Sequence, residues 1–108
     1  MKIYNKLVRD RIPEIMRANG ARPKARILAD DDQYKSALLE KLVEEAKETL
    51  EAKGDLTGLV KEIGDVTEVI SAIVEAYKLD WDTIEDVREE RLKSRGGFGM
   101  RIFLESEE

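Results

Sequence analysis

The sequence predicts an all-α fold, a helical bundle of about four helices, and three observations carry that prediction. The chain of 108 residues is 42% hydrophobic and 40% charged, a mixture suited to long helices with one buried and one solvated face. Two long stretches repeat apolar residues at helical spacing, and aspartate, glycine and proline mark the ends of the helical segments. At this length one domain over residues 1–108 is expected.

The elements follow in order. "IPEIMRANG" (12–20) reads as a short helix, with Pro13 in its first turn and Gly20 as its stop. "ARPKARILADDD" (21–32) is a connection, within which "ARILA" (25–29) could form a short strand. The helical pattern runs from about Gln33 to Lys53 and stops at Gly54; a second long helix runs from about Leu56 to Tyr77. "LDWDTIEDVREERLKS" gives a fourth helix, with Asp80 or Asp82 as N-cap and Asp82-x-x-Glu85 resembling a capping box. A glycine-rich turn then leads to "MRIFL" (100–104), which could pair with 25–29 as a small two-stranded β appendage.

The chain contains no Cys and no His. That removes disulfides, thiol nucleophiles, zinc–thiolate sites, His-dependent triads and Glu-x-x-His di-iron bundles. Chemistry must come from carboxylates, Lys, Arg, Tyr, hydroxyls or a hard metal ion. A formal charge of −5 argues against nucleic acid or an anionic membrane surface as partner. No apolar run is long enough to span a membrane, and "MKIYNKLVRD" lacks the apolar core of a signal peptide, so a cytoplasmic location is expected.

The carboxylates are concentrated. With Leu38 at 0° and about 100° per residue, Leu42, Ala46, Leu39, Leu50 and Val43 fill an arc from roughly 0° to 140°. Glu45 falls at roughly −20°, Glu48 at roughly −80° and Glu44 at roughly −120°. In the second helix, with Leu59 at 0°, Ile63, Val66, Ile70, Ile73, Val74 and Tyr77 lie within roughly 60°, and Val69 near −80°. Glu62 falls inside that apolar face at roughly −60°, with Asp65 near −120°. A charge at Glu62 is costly without compensation, and Lys41 and Lys61 are the nearest candidate partners.

If the two helices form a hairpin through "AKGDLTG", the i,i+3 pairs Glu45/Glu48 and Glu62/Asp65 could face each other. Four converging carboxylates repel unless a cation neutralises them, and an oxygen-only ligand set selects Mg²⁺, Mn²⁺ or Ca²⁺. Mg²⁺ keeps positions for water or phosphate oxygens, so such a site invites a nucleotide. The alternative is a solvated face, the usual meaning of an E-x-x-E pair.

The same residues carry a family resemblance. "EEAKE" (44–48) followed by "EIGD" (62–65) resembles the E-E-x-x-E … E-x-x-D signature of the all-α nucleoside triphosphate pyrophosphohydrolases, the MazG-like superfamily. "YNKLVRDRIPEI" (4–15) and "KSRGGFGMRI" (93–102) resemble a small single-domain branch of house-cleaning, phosphoribosyl-ATP pyrophosphohydrolase-like proteins. The resemblance implies that Glu45, Glu48, Glu62 and Asp65 hold Mg²⁺, or Mn²⁺ in its place. It makes Glu44 an outer group or one that orients the attacking water, so Glu44 and Glu45 are the candidate catalytic carboxylates. It implies cleavage between the α and β phosphates, releasing a monophosphate and pyrophosphate, and assembly into a homo-oligomer, a dimer or tetramer.

Other residues have two readings. Lys93 and Arg95, beside Gly96 and Gly97, could hold phosphate oxygens, or could be a charged helix end with a glycine cap. Asn5, Lys6, Arg9 and Asp10 could contact substrate or brace the site; Arg9–Asp10 could equally be a structural charge pair. Gly64, mid-helix, points to close packing with a neighbour; Trp81 and Phe98 could stack a base, with core or subunit packing expected for Trp81. The substrate is expected to be a nucleoside triphosphate, with phosphoribosyl-ATP as a same-class rival. A helical binding module without turnover is the rival of a different class.

Overall fold

A computed structural model describes all residues from Met1 to Glu108 and contains four α-helices and no strand. They are α1 (Ile12–Ala18), α2 (Asp31–Glu51), α3 (Leu56–Ala76) and α4 (Trp81–Arg95). The chain divides into two compact units, Met1–Tyr77 with α1 to α3, and Lys78–Glu108 with α4. No helix is long and apolar enough to cross a membrane.

Each start is set by an aspartate where the helix is long. The Asp30 carboxylate accepts from the Gln33 amide (2.9 Å), which starts α2 two residues before the apolar pattern does. Asp55 accepts from the Gly58 amide (3.1 Å) and starts α3. Asp80 accepts from the Asp82 amide (3.1 Å) and the Thr83 hydroxyl (3.2 Å), so Asp80 is the N-cap of α4. The expected Asp82/Glu85 capping box does not form, because Glu85 turns outward to pair with Arg88. Helix α1 ends as expected at Gly20, whose φ of +87° lets its amide reach the Arg17 carbonyl and the Ala21 amide reach Met16.

In the first unit α2 and α3 fold back on each other through the short Ala52–Asp55 turn and supply its main packing. The buried face of that hairpin differs from the apolar arc. Leu38 and Glu45 are the buried residues of α2, and Val69 and Val74 those of α3. Leu39, Val43 and Leu50 on α2, and Leu56, Val60 and Ile63 on α3, are exposed. The inward face of α2 has therefore rotated toward its acids, and Glu45, expected at the flank of the stripe, lies at its centre.

One expectation is corrected, and two find no partner within this chain. Residues 25–29 and 100–104 form no β appendage. Arg101 has φ +60° and its amide closes a turn onto the Phe98 carbonyl, which breaks the extended backbone that a strand needs. Left without that partner, 25–29 runs as an irregular, mostly exposed connection, since a lone strand leaves its backbone groups unpaired. Trp81 is 52% exposed and contributes to no core within the chain. Gly64 has nothing within 4 Å of the position a Cβ would take, so no neighbour in this chain requires a glycine there.

Candidate metal and phosphate site

The hairpin brings Glu45 and Glu48 of α2 to Glu62 of α3, with one carboxylate oxygen from each lying within 4.8 Å of the others. The sites of closest approach are nearly dry. Glu45 is only 7% exposed, and Oε2 of Glu45 and Oε2 of Glu62 are both buried without a hydrogen-bond partner. A buried carboxylate oxygen left unpaired costs about 1–3 kcal/mol, a cost that a bound cation would offset.

Two lysines on the same helices compensate part of the charge, as their spacing predicts. Lys41 approaches Glu44 (3.3 Å) and Glu45 (3.5 Å), and Lys61 approaches Glu62 and Asp65 (3.1 Å each). Two more cations, Lys6 and Arg9, come from the segment before α1. Lys6 Nζ donates to Glu44 Oε1 (3.2 Å) and Arg9 Nη2 donates to Asp65 Oδ1 (2.8 Å). The N-terminal segment thus clasps both helices, and Arg9 pairs across the fold with Asp65 rather than with Asp10.

The result is an electrostatic split among the five acids. Burial works against ionisation of Glu44, but Lys6 and Lys41 outweigh it and hold its pKa below the ordinary 4.5. Asp65 is likewise pushed up by burial and more strongly down by Lys61 and Arg9, ending below 3.8. Glu48 goes the other way. When protonated it can donate to Glu45, and this effect, then burial, then repulsion from Glu45, Glu62 and Glu44, raises its pKa above 4.5. Each of the other four acids has a lysine or arginine within 3.5 Å, while Glu48 faces Glu45, Glu62 and Glu44 with no cation of its own.

Asp65 holds two ion pairs and lies outside the group of three, although the hairpin carries it one turn from Glu62. A cavity of about 170 Å³ lies beside Glu44, lined also by Asn5, Lys6 and Lys41. Asn5 sits there with φ +46°, a conformation that asparagine tolerates better than most residues. Lys6 and Arg9 were legible only as candidate contacts, because nothing local in the sequence says which acid each would reach.

The second unit carries the remaining basic motif. Gly96 caps α4 with φ +79°, and its amide donates to the Leu92 carbonyl (2.8 Å), which is the glycine-cap geometry. Arg95, the last residue of α4, and the loop 96–102, including Gly97, Phe98 and Arg101, line a cavity of about 440 Å³. Arg95 and Arg101 give this hollow two cations. Arg101 was missed by sequence reasoning, which assigned its stretch to a strand. Lys93 lies in the last turn of α4 outside the lining.

The family model described as phosphoribosyl-ATP pyrophosphohydrolase matches residues 5–91. A protein of Mycolicibacterium smegmatis, described as uncharacterized, is 57% identical over 42 residues, which are 39% of this chain and 42% of that relative. The match thus spans less than half of that relative's length. No solved structure matches the chain.

Proposed function

We propose, for a chain that belongs to the phosphoribosyl-ATP pyrophosphohydrolase family and so to the MazG-like all-α superfamily, that Glu45, Glu48 and Glu62 hold a divalent cation against a nucleotide's phosphates. As a member of that family it is a pyrophosphohydrolase, a hydrolase of phosphoric anhydrides. The observation that carries the reading is the pair of buried, unpartnered oxygens on Glu45 and Glu62, beside Glu48. Three hard oxygen donors without His or Cys fit Mg²⁺, with Mn²⁺ as an alternative, and Asp65 joins them when one of its ion pairs opens.

When bound, such a cation supplies charge neutralisation and Lewis acidity at the phosphoanhydride. The chain's own residues supply the rest. Glu44, kept ionised by Lys6 and Lys41, accepts a hydrogen bond from the attacking water and orients it for in-line attack on the α phosphorus. Glu44 and Glu45 are the carboxylates that take the proton of that water. Lys6, Arg9 and Asn5 are the residues of the N-terminal segment that would meet phosphate charge. In the second unit, Lys93, Arg95, Gly96 and Gly97 are a phosphate-contacting element in their own right.

The substrate is a nucleoside triphosphate, cleaved between the α and β phosphates to a monophosphate and pyrophosphate, in a house-cleaning role toward damaged nucleotides. A second reading is favoured by the family's description: the triphosphate belongs to phosphoribosyl-ATP. The exposed apolar residues Leu39, Val43 and Leu50 on α2, with Leu56, Val60 and Ile63 on α3, support a dimer or tetramer that would cover them.

The test is a panel of standard and damaged nucleoside triphosphates, with phosphoribosyl-ATP, assayed for pyrophosphate with Mg²⁺. Release from the triphosphates supports the first reading, and release confined to phosphoribosyl-ATP the second. No release from any of them would leave a binding module that has kept the fold without turnover.

A further inference from the structure

We propose that Arg9 serves two partners in turn: Asp65 in the metal-free chain, and phosphate oxygens of the substrate once a divalent cation has engaged Asp65. The proposal rests on the cation-binding reading above and adds to it a residue that couples cation and phosphate.

Asp65 carries more compensation than its charge needs. Arg9 Nη2 sits on Oδ1 at 2.8 Å and Lys61 Nζ on Oδ2 at 3.1 Å. Lys61 belongs to the same helix as Asp65 and also holds Glu62, so it stays with the acids when the rest moves. Arg9 comes from a segment 56 residues away and contributes one hydrogen bond from a guanidinium with five N–H donors. Its side chain is 57% exposed and makes no other hydrogen bond or ion pair.

With that surplus cation beside it, Asp65 stands outside the group of three carboxylates. A divalent ion drawn to Asp65 must displace Arg9 or lie beside it, and like charges at that range repel. A polyphosphate reverses the balance, since it brings several negative charges and oxygens spaced for a guanidinium fork. Arg9 then exchanges one anion for another and is never left unpaired. Glu44 is built the same way, with Lys41 from its own helix and Lys6 from the N-terminal segment.

Two affinities test this on the full chain: Mn²⁺ alone, and inorganic pyrophosphate in the presence of Mn²⁺. Arg9→Ala is expected to bind Mn²⁺ about fivefold more tightly, because a competing cation has gone. The same variant is expected to bind pyrophosphate at least about tenfold more weakly. Arg11→Ala removes the same charge from a residue that pairs only with Glu14, and is expected to change neither affinity. Should Arg9→Ala fail to fold, Arg9→Lys keeps the charge and is expected to weaken pyrophosphate severalfold, because an ammonium cannot fork.

Opposite shifts in the two affinities are not what a merely structural residue gives. Unchanged or weaker Mn²⁺ binding in Arg9→Ala would overturn the proposal, as would unchanged pyrophosphate binding in it or in Arg9→Lys. An Arg11→Ala result matching Arg9→Ala would reduce the effect to general charge and also overturn it. If the parent chain binds no Mn²⁺, the cation-binding reading fails and takes this proposal with it. If the parent binds Mn²⁺ and only the variants disagree, the proposal alone fails.

Discussion

Glu45 on α2 and Glu62 on α3 each bury a carboxylate oxygen that no donor reaches, within a group of carboxylates that repel one another. Helices held together only by apolar packing would gain by turning these acids outward. Instead the inward face of α2 is rotated toward them, and Leu39, Val43 and Leu50 remain outside. The site is therefore held at a cost in stability, the pattern expected where function opposes folding.

Glu62→Gln removes one repelling charge while keeping the shape of the side chain. Because it also gives up the Lys61 ion pair, the variant is expected to keep the parent's stability in EDTA to within about 1 kcal/mol, and to lose release of pyrophosphate from nucleotide. Thermal melts followed by circular dichroism, with a turnover assay, check both; parent-like turnover would remove Glu62 from the site.

The acids also predict a pH dependence in the absence of metal. Glu48 has a raised pKa in the fold, so its contribution is fully present below about pH 4.5 and is lost as pH rises through the folded value. Asp65 has a lowered pKa, so its contribution is present above about pH 3.8 and is lost as pH falls through the folded value. Accordingly Glu48→Gln should gain stability over the parent as pH rises from 4 to 7. Asp65→Asn should lose stability at pH 7 and converge on the parent in acid. Denaturant midpoints across that range, in EDTA, give the comparison.

Gly64→Ala is expected to stabilise the hairpin by up to about 1 kcal/mol, since the added methyl meets nothing in the chain and mid-helix glycine is unfavourable. If Gly64 instead serves close approach between subunits, the same variant will sediment as a smaller species. Melting and sedimentation of the one protein distinguish these.

Val43→Asp and Val60→Asp place charges among the exposed apolar residues of α2 and α3. Both are expected to shift the chain to a smaller species in analytical ultracentrifugation without loss of helix content. A parent chain already monomeric at micromolar concentration would contradict the assembly reading.

Much of this was legible because the signals are local. Asp30, Asp55 and Asp80 declare helix starts through a side chain two or three residues from the amide they cap, and Gly20 and Gly96 declare ends. The i,i+3 spacing of Glu45/Glu48, set against Glu62, needs only a hairpin to bring the three together. The rest depends on distant pairs. The angular reading assumed that the apolar arc faces inward, and the rotation of α2 is decided by α3 and the N-terminal clasp. Lys6 meets Glu44 across 38 residues and Arg9 meets Asp65 across 56, separations at which sequence spacing carries no geometry. Residues 100–104 had strand composition, but the left-handed backbone at Arg101 came from the turn it closes.

The central claim, that the inner carboxylates hold a divalent cation, is tested most directly by titrating Mn²⁺ into the nucleotide-free chain and following the free-ion paramagnetic resonance signal. The parent is expected to bind Mn²⁺ saturably, in competition with Mg²⁺, and Glu45→Gln is expected to lose at least about tenfold in affinity while keeping its helical spectrum. Equal Mn²⁺ binding by the parent and Glu45→Gln would contradict the account.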